Sequence, residues 1–367
     1  MKRAAHIIAT AGALIAFMIG SGFATGQEVL QYFAGYGIAG YLGIAFCFVL
    51  ILAACMHLVE IGCANKFERT GHVFYHLGGP YLGRFFDYFS TVSIYLCFVA
   101  MIAGAGAALT QYIGWPTALG AALMGLLSGL TVMFGLKKMV AILGRLGPVI
   151  IVSIMAVCLV VIVQAGGRNV GQAMADAAAA EMTRASSSWF LAACSYVGIA
   201  VLWLTNFISA LGSVTAGYKE TKHGVALGIV LFSLALALVA LALQLNLAEV
   251  RNTEIPSLLL AARLGTWFAT FFTLVIIAGI YTTSVPLLWT VAARLADDGS
   301  RRFRLTVLLL TAVGVVVAVF VPFSRLVNIV YVTIGYVGFA LTAIILGRYA
   351  HARFGRNRRQ ASARQHI

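Results

Sequence analysis

Ten stretches of this chain are each long enough to cross a bilayer and carry almost no charge. A helix needs roughly 20 apolar residues to span hydrocarbon, and inside it every backbone polar group must be paired within the segment. The stretches lie at about 6–35, 38–64, 81–109, 115–135, 139–165, 188–214, 224–247, 265–295, 305–321 and 327–348. They predict an all-α polytopic membrane protein with ten transmembrane helices. Composition excludes the alternative of two soluble domains. Of 367 residues, 62% are hydrophobic and 10% charged, too little charge to cover a water-facing surface of this size.

The formal net charge is +14, which on its own suggests nucleic acid. Its placement says otherwise, because the basic residues sit in short loops and the tail. With the N-terminus inside, only Arg168, Arg184, Arg251, Arg263 and Arg325 of the 25 Lys and Arg fall outside; the other 20 fall inside. This is the positive-inside pattern. It predicts an even span count, cytoplasmic termini, a cytoplasmic (inner) membrane location and no nucleic-acid partner. Six cysteines (Cys47, Cys55, Cys63, Cys97, Cys158, Cys194) lie mostly in apolar runs without a CxxC pair. They read as reduced packing residues.

A polar, alanine-rich linker at 166–187 divides five spans from five. The third and eighth spans are both unusually long, and the halves start on opposite sides of the membrane. This is the outline of an inverted five-helix repeat. The expected organisation is a first repeat at 1–165, an extracytoplasmic linker at 166–187, a second repeat at 188–348 and a basic cytoplasmic tail at 349–367.

The most unusual span is the first, where residues 17–31 read FMIGSGFATGQEVLQ. Glycines and polar residues crowd its middle. Such a break is tolerated in a membrane only where it lines a cavity or packs on protein. An interrupted helix presents backbone N–H groups and a positive dipole end from its outer half, and free carbonyls from its inner half. The alternative is a close-packing face, since Gly22 and Gly26 form GxxxG and Gly12, Ala16 and Gly20 continue small-residue spacing. Ser21, Thr25 and Glu28, at i, i+4 and i+7, share one helical face that lipid would reject. They shift the balance to a break.

Residues 19–23, IGSGF, resemble the GSG-type motif in the first helix of the amino acid–polyamine–organocation superfamily. The longer GSGFATGQEVLQYF, residues 20–33, resembles the YkvI-type membrane proteins within it. The resemblance covers nearly the whole chain. It implies a five-plus-five inverted-repeat, LeuT-like fold with broken helices 1 and 6 and a midplane site between them. It further implies that the backbone amides of Ser21, Gly22 and Phe23, at the break that Gly20 opens, bind a substrate carboxylate. Read from the residues, Thr25 shares the polar face, and Glu28, the clearest embedded acid, could bind a substrate amine, carry a proton or gate the outer path. By the same resemblance the sixth span, CSYVGIAVLWLTNFISALGS, is the partner broken helix. Its carbonyls near Gly198 would receive an amine, with Tyr196, Trp203 and Asn206 nearby. The alternative is an ordinary helix with a few polar contacts; the break is favoured, because the second half should mirror the first.

The eighth span contains AGIYTTSVPLLW. Gly279, Thr282 and Thr283 face together at i, i+3 and i+4. The resemblance implies that residues at this spacing hold sodium with first-helix carbonyls, here of Ala16 and Ile19. The competing reading is that the threonines bond back to their own helix and Pro286 kinks it. No lysine lies inside the fifth span to replace sodium, as proton-coupled relatives of this fold require. His57 and Glu60 read as a satisfied pair at the inner end of the second span, and two ligands are too few for a metal. Asp87 is expected to pair with a basic residue such as Arg84 or Arg145, and His72 and His76 to lie on a short interfacial helix.

Together these features predict an ion-coupled, alternating-access carrier and not an enzyme, since the chain offers only scattered acid, base and nucleophile pairs. The expected substrate is a small amino acid or related amine or zwitterion, with sodium as coupling ion and no other cofactor. A proton-coupled carrier of an organic cation, or a non-transporting sensor or channel, is the alternative. The sequence leaves the oligomeric state open.

Overall fold

The computed structural model describes residues 2–67, 71–133, 152–214, 217–297 and 299–365, without the side chains of Lys2, Ala16, Ser21, Val214 and 352–365. Lys137, Lys138, Arg145 and the first half of the fifth span lie outside the described residues. So do the side chains of the basic tail.

The first span is three helices, α1 (Lys2–Met18), α2 (Ser21–Thr25) and α3 (Gln27–Tyr32), ended by a 3₁₀ turn at Ala34–Tyr36. Spans two to four are α4 (Ile38–Asn65), α5 (His72–Ile113) and α6 (Thr117–Met133), and α7 (Val152–Gln164) is the described part of the fifth. The linker holds an unforeseen helix, α8 (Val170–Ala179), which Asn169 caps by accepting from the Gln172 amide. The second half comprises α9 (Trp189–Val214), α10 (Tyr218–Leu245), the short α11 (Leu247–Val250) and α12 (Pro256–Arg263), α13 (Thr266–Leu295) and α14 (Arg301–Phe320). The tenth span is α15 (Phe323–Leu326), a π turn at Val327–Tyr331 and α16 (Val332–Gln365). The chain is thus a polytopic helical membrane protein, and its spans fall where the apolar stretches place them.

The packing displays the inverted repeat directly. The first span lies on the seventh (α1 on α10), and its mirror pair, the second and sixth, packs as α4 on α9. The third and eighth, α5 and α13, pack on each other. The fourth span touches the eighth as the ninth touches the third. Packing in lipid depends on small residues that let backbones approach, and the α9–α16 seam is the extreme case. A Cβ built on Gly198 would stand 1.8 Å from the Gly335 carbonyl oxygen and 2.3 Å from the Phe339 nitrogen.

Two faces follow from this topology, one carrying the termini and one carrying the linker, α8, α11 and α12. Trp267, at the linker face, is 81% exposed, and Tyr81, at the termini face, is 88% exposed. Aromatic residues at both ends of a bundle mark the membrane–water boundaries. The helix preceding the third span is present as foreseen, joined to it at Gly79 (φ 71°), where Pro80 cannot continue the ladder.

Charged groups at the termini face lock elements together. Asp87 pairs with Arg294 at the end of α13, through two parallel contacts of 2.8 and 2.5 Å, and not with Arg84; Arg145, the other expected partner, lies outside the described residues. Sequence distance hid this partner; the pseudo-symmetric α5–α13 contact supplies it. A bidentate guanidinium–carboxylate pair is among the stronger polar contacts. In a double-mutant cycle of Asp87→Asn and Arg294→Gln, thermal unfolding should show a coupling of about 1–3 kcal/mol. Additive losses would mean that the pair does not hold α5 to α13. Glu60 accepts from Lys222 (2.7 Å) and Tyr218 (3.0 Å), with His57 Nδ1 3.6 Å from its other oxygen, which joins α4 to α10. The six cysteines are all free.

Candidate functional site

The first span breaks twice. The amide of Ile19 still donates to Ile15 (2.9 Å), but Gly20 turns tightly back on Met18 (3.1 Å) and adopts extended backbone. Helix resumes at Ser21 with no side-chain cap. The first amides of a helix have no partner within it, so α2 presents them at the interruption. Five residues on, Gly26 takes φ 79°, a left-handed conformation that glycine adopts without strain, and α3 begins. The linker-face helix α12 packs against this second break. Ser257 donates to the Ala24 carbonyl (2.6 Å), filling an acceptor that the break had freed.

Glu28, in the first turn of α3, folds back over α2. A Cβ on Gly22 would stand 2.3 Å from a Glu28 carboxylate oxygen, so glycine there leaves the acid its place. Tyr196 from α9 hydrogen-bonds the same carboxylate. No Lys or Arg pairs with Glu28 among the described residues. Protein surrounds the side chain, yet part of it stays accessible. Around it stand aromatic rings. Tyr196 meets Tyr32 edge-on at 5.4 Å and Phe33 at 4.8 Å, and Tyr32 faces the Ser195 hydroxyl at 3.5 Å. Cys97 of α5 lies close enough to sense the Glu28 charge and shares a hydrogen bond with Tyr331. Tyr331 in turn packs edge-on against Trp203 at 5.7 Å. The Met101 methyl closes the wall by Gly20.

The structure therefore brings Gly20, Gly22, Glu28, Tyr196 and Trp203 into one neighbourhood. It places others elsewhere. Phe23 turns onto Phe232 at 5.3 Å. Thr25 is taken up by the second break, donating to Gly22 (3.2 Å) and accepting from the Gln27 amide (3.4 Å). Asn206 accepts from the Gly71 amide (3.1 Å), anchoring the start of α5 to α9. Gly198 lies in the α9–α16 seam.

The expected interruption of the sixth span is not found, and α9 runs as one helix from Trp189 to Val214. Its hydroxyls explain why. Thr205 donates to Val201, and Ser209 to Thr205, four residues back in each case. They decorate the ladder instead of breaking it.

In α13, Thr282 and Thr283 both donate to the Gly279 carbonyl, at 2.9 and 3.0 Å. A hydroxyl that donates backwards keeps its lone pairs for a cation, so this geometry is compatible with either reading of the eighth span. α13 packs on α2, next to the first-span break. Ile19 is buried there, while the Ala16 and Ser21 side chains lie outside the described residues.

Sequence reasoning missed Tyr32, Cys97 and Tyr331. Tyr32 ends the polar stretch that begins the first span's outer half, Cys97 sits in an apolar run, and only packing across spans brings Cys97 and Tyr331 to Glu28. Tyr331 closes the π turn of the tenth span, and such turns recur at functional sites.

The chain matches no family model. It is 22% identical over 341 residues to YkvI of Bacillus subtilis, an uncharacterized membrane protein, covering 92% of this chain and 94% of the relative. In structure it is similar to inward-facing Mhp1 (TM-score 0.64, 15% identity, 94% of this chain and 76% of Mhp1). It is also similar to the closed form of Mhp1, a nucleobase-cation-symport-1 family transporter, with bromovinylhydantoin bound (TM-score 0.55, 14% identity, 88% and 74%). A manganese transporter of Eremococcus coleocola has the same fold (TM-score 0.58, 15% identity, 93% and 78%). These likenesses show that the chain has the LeuT-like fold that the resemblance of its first span implied.

Proposed function

We propose that the chain is a secondary transporter that moves a small amine-bearing solute, amino acids included, by alternating access. The observation that carries this reading is Glu28. A carboxylate removed from water needs opposite charge and further hydrogen bonds to offset its desolvation. Here it has one tyrosine donor and no resident cation among the described residues. An ammonium group satisfies that carboxylate, and the faces of Tyr32, Tyr196 and Tyr331 suit a cation as well. The carriers that share the fold support transport over catalysis. Manganese as cargo is disfavoured, because no three His, Cys, Asp or Glu come together among the described residues.

A zwitterion is the second form of this reading. It rests on the uncapped start of α2, whose amides around Gly20, Ser21, Gly22 and Phe23 would take the carboxylate while Glu28 takes the amine. For the coupling ion we propose sodium, held by the Thr282 and Thr283 hydroxyls with carbonyls of Ala16 and Ile19. A proton carried on Glu28 is the alternative. The excess of Lys and Arg on the termini face supports a cytoplasmic-membrane protein with both termini inside.

Uptake of labelled amines and amino acids into proteoliposomes, with and without an imposed sodium gradient, tests the proposal. Concentrative uptake is expected, and purely downhill flux would make the chain a channel. Thr283→Val should abolish the sodium stimulation while leaving thermal unfolding unchanged. Sodium dependence that survives in this variant removes the coupling assignment.

A further inference from the structure

The indole N–H of Trp203 is shut away from solvent and has no hydrogen-bond partner among the described residues. Tyr331, whose ring packs against it, and the other hydroxyls of the site are engaged with other groups. Tyr331 bonds Cys97, Tyr196 bonds Glu28, and Tyr32 faces Ser195. A buried donor left without an acceptor costs about 1–3 kcal/mol, and a buried tryptophan normally finds one. Trp203 follows Tyr196 by seven residues on one unbroken helix. Seven residues are two turns, so both side chains leave the same face of α9, about 10 Å apart along its axis. The Glu28–Cys97–Tyr331–Trp203 contacts join the two ends of that face.

We propose that Trp203 Nε1 donates a hydrogen bond to the transported solute. The substrate class is then narrower than an amine. It is a small organic ammonium that carries a hydrogen-bond acceptor, such as a carbonyl, carboxylate or ring nitrogen, at its far end. The ammonium meets Glu28 and Tyr196, the hydrocarbon lies along the tyrosines, and the acceptor meets the indole. This rests on the reading of Glu28 above. A simple alkylamine satisfies only half of the site, and a doubly charged diamine places a donor where a donor already stands.

The test uses the purified full-length chain and matched probes. These are 4-aminobutanamide, 5-aminopentanamide and 6-aminohexanamide against pentylamine, hexylamine and heptylamine, with Kd read by calorimetry. At least one amide is expected to bind tenfold or more tightly than its alkylamine. Trp203→Phe keeps an aromatic ring and removes the N–H, so it should erase that advantage, bringing the amide and alkylamine Kd to within about twofold of each other. In ¹⁵N-tryptophan-labelled protein, one indole resonance should move with the amide and stay with the alkylamine, a readout that needs no variant. Equal binding of amide and alkylamine by the wild type overturns the proposal, with a water then the partner of Trp203. So does an advantage that survives in Trp203→Phe. If the amide advantage holds but Glu28→Gln leaves both series unaffected, the Glu28 reading fails and the Trp203 assignment stands. If neither series binds, both fall.

Discussion

Glu28→Gln should weaken binding of cationic solutes by about 30-fold or more and abolish their uptake, without unfolding the protein. Glutamine has the shape of the acid and still accepts from Tyr196, so the wall of the site stays in place. What disappears is the charge. Removing one partner of a desolvated charge pair typically costs 2–5 kcal/mol of binding. Stability should move the other way or not at all. An enclosed carboxylate without a resident cation carries an unrecovered desolvation penalty, and the neutral amide lacks it. Equal or higher thermal stability together with lost binding is therefore the signature of a binding acid. A drop in stability with binding intact would make Glu28 a structural residue and sink the transport-site assignment. Glu28→Asp, which keeps charge but shortens the reach across Gly22, should bind more weakly than wild type and better than the glutamine variant.

How far this site could be read in advance differs from residue to residue, for physical reasons. The first break was legible because Gly20, Ser21 and Gly22 stand in hydrocarbon, where a polar, flexible segment has few acceptable surroundings. Gly26 was visible only as part of a GxxxG spacing. Its left-handed turn depends on α12 coming across from the other half to hold the Ala24 carbonyl. The sixth span misled because Thr205, Asn206 and Ser209 look like a loosened helix. Two of them bond back into the ladder, and the third leaves to hold Gly71. Polarity marks where a helix is able to break, while partner geometry decides whether it does. Cys97 and Tyr331 gave no signal at all, because their role exists only once α5 and the tenth span meet beside Glu28. The spans themselves were the most legible part, since the bilayer fixes helix length and satisfies no backbone group from outside.

Gly198→Ala should be among the most destabilising single substitutions in the chain, at about 3 kcal/mol, the upper end for overpacking. The methyl would meet backbone atoms of α16 at 1.8 and 2.3 Å, and backbone cannot swing aside as a side chain does. The contact is reciprocal. A Cβ on Gly335 would lie 2.2 Å from the Ser195 carbonyl oxygen, and one on Gly338 the same distance from that of Gly198. Relief would require α9 and α16 to separate along the seam, giving up the dispersion contacts that hold helices together in lipid. Gly347→Ala serves as the control, because nothing lies within 4 Å of a Cβ there. Its unfolding temperature in detergent should match the wild type while that of Gly198→Ala falls well below. The same rigidity bears on function. A helix welded to its neighbour at Gly198 carries Tyr196 and Trp203 as fixed wall, so the parts free to change shape around a solute are the joints at Gly20 and Gly26. If Gly198→Ala unfolds at the wild-type temperature, the seam yields, and the sixth span regains the freedom to bend that its sequence suggests.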